Sequence, residues 1–492
     1  MAEKNRFSRL LKTLISASEL KNYTLAQELG YDVSYISKWI SGQIIPSEKY
    51  AEKILTGISE CVVNKCEPEA LAKLMQNYQV DSRSQLKQAV YDNLEAEYHY
   101  VREMQSNSED EGTVRTSYYP ELKLAQYIDK MWHPVLRRVN ALDVVGALDM
   151  FAMGREYQMQ IAEGKGNHVP EGKMYQDVHY YMLVDVRPEK MNSAGDVIFL
   201  VDLLTRNSCI DFRLYSSQQA GGKAIFVVKD EYLISGMLAG DDRCLSVTIS
   251  ENPENCKAVY RNLKDMCNRD RLLFRRTTLQ EMLRKHEYVH TLFALRQQWL
   301  MGHLTEHFLP EDLFEEILQT FEAGPEAAPA REELRDIHRI SRKVVEEFHI
   351  SLLIYRTAFY NLAVDHTIDF FNHKVRLTPE QTIRCLGHFA KLCRNCPGLE
   401  VKMIPGRLIS DIEYNTRECI FLSDTVSYLR LGIEHSNVFI IDRKDMREAF
   451  GRMFCQFFDD REGTLITDRE LIAANIEHVV SGISREDRPV IH

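Results

Sequence analysis

Residues Leu25-Ala-Gln-Glu-Leu-Gly-Tyr-Asp-Val-Ser-Tyr-Ile-Ser-Lys-Trp-Ile-Ser-Gly42 leave the backbone few choices. Leu25, Ala26 and Leu29 recur at helical spacing and give one segment an inner face. Ala26 is small where a second helix must cross closely. Gly30 stands where the chain has to leave that helix, because glycine accepts a positive φ without a Cβ clash. Asp32 follows and is suited to capping a new helix by accepting a backbone N–H. Ile36, Trp39 and Ile40 then supply a second inner face. The spacing predicts a helix, a tight turn and a helix. The far side of the second helix presents Val33, Ser34, Ser37 and Lys38 to solvent.

Flanking segments extend the pattern. Phe7, Leu10, Leu11 and Leu14 share one face of an earlier helix. Pro46-Ser47-Glu48 reads as a helix start, with Ser47 as N-cap and Ala51, Ile54 and Leu55 as its buried side. Ser82 to Arg102 is a further polar, helix-prone run. Two helices joined by a short turn, the second with an open polar face, describe a helix-turn-helix. The segment resembles the phage-repressor-like (Xre/Cro/C1) family at Leu25-Ala26, Leu29-Gly30, Ile36-Ser37, Trp39, Gly42 and Pro46-Ser47. It departs at Ile40, where that family often carries glutamate, and it has no glutamine-like base reader at the start of the second helix.

The resemblance implies binding of a double-stranded DNA operator. It puts Val33 and Ser34 on the first exposed turn of the recognition helix, with Ser37 and Lys38 one turn on. Val33 would meet a thymine methyl, Lys38 a guanine edge or a phosphate, and the serines bases or backbone. Asn22 and Thr24, at the start of the preceding helix, together with Tyr35 and Gln43, are phosphate-contact candidates. A head with so few readers binds weakly alone, so a homodimer reading two half-sites is expected.

Charge fits this division. The chain of 492 residues has a net charge of −11, but residues 1–60 carry 8 Lys and Arg against 7 Asp and Glu. A uniformly basic nucleic-acid coat is excluded, and a near-neutral head stands before an acidic body. No stretch approaches the about 18 apolar residues of a membrane helix, and the start lacks a signal-peptide core. Eleven cysteines, an odd number in a large chain, point to reduced thiols and a cytoplasmic setting.

The expected fold class is multidomain: an all-α head followed by an α/β body of two related, duplicated units. The head is assigned to residues 1–60 and a helical connector with an acidic linker to 61–117. The first α/β unit is assigned to 118–320, and the second, with a C-terminal helix, to 332–492. Ser106–Gly112 and Glu322–Pro329 are the polar linkers behind these boundaries. The duplication rests on shared order. Leu204-Thr-Arg-Asn207 before Ile210–Leu214 matches Leu392-Cys-Arg-Asn395 before Leu399–Met403. Ile225-Phe226, Tyr232-Leu233 and Gly236 match Ile420-Phe421, Tyr428-Leu429 and Gly432. Each set runs into an apolar strand, Leu245–Ile249 or Val438–Ile441, and then an amphipathic helix. Strands alternating with helices indicate α/β layers.

The duplicated plan loosely resembles the phospholipase D-like fold, in which each half donates a His-x-Lys motif. None of the sixteen histidines is followed by x-Lys, so that resemblance implies a cleft without the phosphodiesterase chemistry. Cys393-Arg-Asn-Cys396 is a lone CxxC with no second ligand pair nearby, and reads as two ordinary thiols at a helix end. Cys61 and Cys66 read the same way. No phosphate-binding GxxxxGK[ST] or nucleophile elbow GxSxG occurs, and Asp365-His366 and Glu434-His435 are only sequence neighbours. No catalytic residue, metal or cofactor is expected. The leading expectation is a transcriptional regulator whose body dimerises and receives a small-molecule or protein effector. A body acting on nucleic acid or nucleotides, and an acidic adaptor that docks a partner protein, are the other readings.

Overall fold

The computed structural model describes residues 5–78, 80, 82–106, 116–137, 141–163, 175–187, 190–191, 193–240, 242–294, 296–321, 327–406, 418–431, 437–459 and 463–486. They fall into two compact units, Met1–Lys190 with Asp202–Leu272 and Met191–Val201 with Leu273–His492.

The first unit opens with six helices: α1 (Arg6–Ala17), α2 (Asn22–Leu29), α3 (Val33–Ser41), α4 (Ala51–Asn64), α5 (Pro68–Asn77) and α6 (Arg83–Ser106). Phe7, Leu11 and Leu14 of α1 are buried, whereas Leu10 is only half-buried. Ile54, Leu55 and Ile58 of α4 and Leu86, Val90 and Leu94 of α6 complete one apolar core. Phe7 meets Tyr98 edge-on at 6.1 Å. This corrects the boundary at residue 60, which falls inside α4. The end of α4 and the helix α6 belong to the head, because α6 packs along both α1 and α4. Ser47 also differs from expectation. It precedes a 3-10 turn, Glu48–Tyr50, and its side chain makes no capping bond. The cap of α6, in contrast, is Ser82, whose Oγ accepts from Gln85 N at 3.3 Å.

A seven-stranded sheet follows, built from β1 (Thr116–Lys123), β2 (Leu142–Leu148), β3 (Tyr175–Val184), β4 (Ile210–Ser216), β5 (Lys223–Val228), β6 (Tyr232–Leu238) and β7 (Arg243–Ser250). Its order is β1-β7-β6-β5-β2-β3-β4. β2, β3 and β4 run parallel, and every other pairing is antiparallel. The parallel strands require helical crossovers: α8 (Arg155–Glu163) between β2 and β3 and α9 (Ala194–Arg206) between β3 and β4, while α7 (Leu124–Met131) joins β1 to β2. One face of the sheet, with Val145, Tyr181, Leu183 and Val227, packs on Cys256, Tyr260 and Leu263 of α10 (Pro253–Asp265). The head is seated on this layer. α6 packs against the 3-10 turn Pro134–Arg137, and Arg6 pairs with Glu231 in the β5–β6 turn.

The second unit contains β8 (Arg275–Thr278), α11 (Leu279–Arg284), α12 (Glu287–Leu292), β9 (Arg296–Met301), α13 (Glu311–Thr320) and α14 (Ala327–Glu347). Then come β10 (His349–Tyr355), α15 (Arg356–Asp365), the hairpin β11 (Thr367–Phe370) and β12 (His373–Arg376), and α16 (Pro379–Asn395). The chain ends with β13 (Leu399–Ile404), β14 (Cys419–Ser423), β15 (Ser427–Arg430), β16 (Asn437–Ile441), α17 (Lys444–Phe458) and α18 (Arg469–Glu486). Its sheet order is β13-β10-β9-β14-β15-β16-β8. Here β9, β10 and β13 are parallel and the rest antiparallel. In chain order, with the small hairpin set aside, this is the same sequence of positions and directions as the first sheet.

Apart from Met191–Val201, which groups with the second unit, the chain passes from the first unit to the second at Leu272/Leu273, whereas the sequence reading put the change between 320 and 332. The expectation failed because residues 322–329 are polar. Ala327 already begins α14, while β8 and β9 had entered the second sheet before it. Residues 107–115, 322–326, Gly432 and Glu434-His435, on which parts of the linker, repeat and histidine readings rested, lie outside the described residues.

Candidate nucleic-acid interface

The two helices of the motif end alike. Gly30 takes φ +71°, and Tyr31 N donates to Ala26 O at 3.0 Å while Gly30 N donates to Gln27 O at 3.3 Å. Gly42 takes φ +81°, with Gln43 N on Lys38 O at 3.0 Å and Gly42 N on Trp39 O at 3.2 Å. Both are left-handed C-terminal caps, which turn the chain sharply without orphaning the last carbonyls. Asp32 caps α3, its Oδ1 accepting from Ser34 N at 2.8 Å. Contacts with Ser34 hold its carboxyl below the usual range, so the cap carries its charge at the positive end of the helix.

Inside, Ile36 and Trp39 are buried, and Tyr31 meets the Trp39 ring edge-on at 5.3 Å. Ile40 is only half-buried, so it borders the core instead of filling it. Leu29 is also half-buried, yet it rests on α4 at Gly57, where a Cβ would lie 2.4 Å from Leu29 Cδ2. That contact was invisible in sequence, because a glycine in mid-helix carries no mark of its partner. Asn5 ties the motif to α1, accepting from Ser8 N at 2.9 Å and donating to Gly42 O at 3.4 Å.

Outside, Val33, Ser34, Tyr35, Ser37 and Lys38 are all exposed on α3, and Gln43 is exposed just beyond it. The Lys38 ammonium stands 5.8 Å from the centre of the Tyr35 ring, a distance at which the ring face attracts a cation. Asn22 and Thr24 are half-buried in the first turn of α2, which no side chain caps. Its leading amides are thus left for an outside acceptor. Tyr23, two-thirds exposed, and Gln27 one turn later share the solvent face of α2. Both are added to the candidate surface. Their i, i+4 spacing was the available signal.

Residues 17–57 match the helix-turn-helix family HTH_3. This segment is a DNA-binding helix-turn-helix. The match runs from the last residue of α1 through α2 and α3 into α4. No curated protein matches the chain.

The body holds one conspicuous buried polar cluster. Arg430 donates to both carboxylate oxygens of Glu306 at 2.7 and 2.9 Å, to Asp369 at 3.3 Å and to Tyr288 at 2.9 Å. His303 reaches Asp369 at 3.1 Å. Each of these side chains is almost wholly enclosed, and the two carboxylates compensate the buried guanidinium. The arrangement is a buried core network, and sequence reasoning missed it because its members come from four separate segments. Cys393 and Cys396 are buried; Cys396 Sγ donates to Val345 O at 3.0 Å, and burial pushes the Cys393 thiol up to about 12. Among the described residues no group of three or more His, Cys, Asp or Glu is placed to hold a metal ion. Among the same residues no helix is long and apolar enough to cross a membrane.

Proposed function

We propose that this chain is a sequence-specific transcriptional regulator. Two copies would read operator half-sites with α3, and the α/β body would dimerise and take a signal. The observation that carries the reading is the row Val33, Ser34, Ser37 and Lys38, exposed together on a helix that Asp32 caps and Trp39 anchors. Phosphate contacts from Asn22, Thr24, Tyr35 and Gln43 would fix its register in the groove. Eleven free cysteines accord with a reducing, cytoplasmic setting.

Two features support a duplicated body related to the phospholipase D-like plan: the identical strand order of the two sheets and the sequence correspondences that fall on β4 and β13, β5 and β14, and β6 and β15. With no His-x-Lys in the chain, the reading is of a body that senses and does not catalyse.

Selection of bound duplexes from a random pool by the full chain, followed by footprinting, tests this. The expected result is a symmetric pair of half-sites whose enrichment Ser34→Ala and Ser37→Ala relax at particular positions. Enrichment of no sequence, or recovery unchanged by these substitutions, would overturn it.

A further inference from the structure

The first sheet has a hole in its packing. On the face opposite α10, Gly146 of β2 lies between Phe226 of β5 and Met182 of β3. A Cβ there would come within 2.9 Å of the Met182 thioether, so the methionine occupies space that a side chain on Gly146 would take. In the second sheet the residue paired with the matching phenylalanine, Phe421, is Trp299, which is buried. One sheet fills this place with an indole, the other only with the end of the flexible Met182 side chain.

What remains in the first unit is a cavity between the sheet and α7, α8 and α9. It is a tight space, with a cavity volume of about 20 Å³, so a ligand larger than water must widen it. The walls are thioethers, aromatic rings and aliphatic chains, among them Trp132, Met150, Met182 and Phe226. One polar atom is stranded among them. The Tyr180 hydroxyl is buried and finds no hydrogen-bond partner among the described residues. Burial, with a smaller contribution from Cys209, raises its pKa, so it keeps its proton and remains a donor. The other polar wall is Asn207, whose Nδ2 donates to Leu203 O at 2.9 Å. An unpaired buried hydroxyl in an apolar pocket is what a matching ligand would relieve. Methionine walls let such a pocket widen on entry.

We propose that this cavity is an effector site for a small, uncharged, mostly apolar molecule carrying one carbonyl-type oxygen, which accepts from Tyr180. This deepens the regulator reading and rests on it. The cavity has a physical connection to the head: Trp132 ends α7 and leads into the turn Pro134–Arg137, which packs on α6, and α6 packs on α1 and α4. A ligand that displaces Trp132 therefore bears on the elements that carry α3.

Acetophenone and its deoxygenated analogue ethylbenzene serve as probes on the full chain, by titration calorimetry and thermal denaturation. Acetophenone should bind saturably and raise the melting temperature, with ethylbenzene weaker by about fivefold, the size of one net hydrogen bond. Tyr180→Phe should erase that preference. Gly146→Leu should abolish binding of both probes, and Met182→Phe narrows the same space from the neighbouring strand if the first variant fails to fold. No saturable binding, or binding indifferent to both filling variants, overturns the site. Operator affinity is then measured with and without acetophenone. A shift that disappears in Tyr180→Phe supports the effector role, and probe binding with no shift overturns it. A chain that binds acetophenone but no duplex overturns the regulator reading and leaves the cavity standing.

Discussion

Lys38 and Tyr35 illustrate how much a single side chain can decide. Resting its charge near a ring face limits the conformations open to a long, flexible lysine, so less freedom is lost when it meets a phosphate or a guanine. Lys38→Ala should weaken operator binding and, if its partner is a phosphate, make the log–log salt slope shallower by about one. Filter binding across a salt series gives both quantities. His338 makes a different prediction. It stacks on Phe314 at 3.8 Å, neither ring nitrogen has a partner among the described residues, and burial lowers its pKa from 6.5 to about 3. The unfolded chain then takes up the proton first. Its contribution is fully present above about pH 6.5 and is lost as pH falls toward 3, amounting to about 3 kcal/mol by pH 4. Denaturant midpoints at pH 7 and pH 4 should converge in His338→Phe relative to the parent. Asp32 and Gly30 were legible in the sequence because caps act on their own neighbours. Gly146 and Tyr180 were not, because a hole or a stranded hydroxyl exists only once other strands and helices surround it.

Elements of the head depend on a few anchors. Trp39→Ala removes the largest side chain beneath α3 and should destabilise the head by about 3–5 kcal/mol. Asp32→Ala should lower it by much less, through the lost cap. Circular dichroism melts separate the two, and a normal melt for Trp39→Ala would mean that α3 is held by other contacts. Helices were read well where apolar residues recur every three or four positions, as in α1 and α4. Boundaries were read poorly. The stretch 322–329 suggested a linker, yet α14 begins within it, at Ala327. The end of the head was set too early for a related reason: α6 is polar on one side, and only its packing on α1 reveals the buried side.

For the whole molecule, five ordered correspondences about 190–196 residues apart led to the expectation of a duplicated body, and the two sheets share one strand order. Strand–helix alternation is legible in such a body because parallel strands must be joined by crossovers. Pairing of chains was not legible, since an interface leaves no periodic trace. The expected outcome is a dimer by light scattering, with protected half-sites about one helical turn, or 34–36 Å, apart. A monomer that footprints a single half-site would contradict it. The seating of α6 on the turn Pro134–Arg137 bears on that footprint. A reading helix mounted on its own sheet has a set bearing and cannot swivel like a bead on a string. Inserting half a turn of duplex between the half-sites should then abolish tight binding, whereas inserting a full turn should be far less harmful. The spacing of the DNA would become a caliper for the stiffness of the protein.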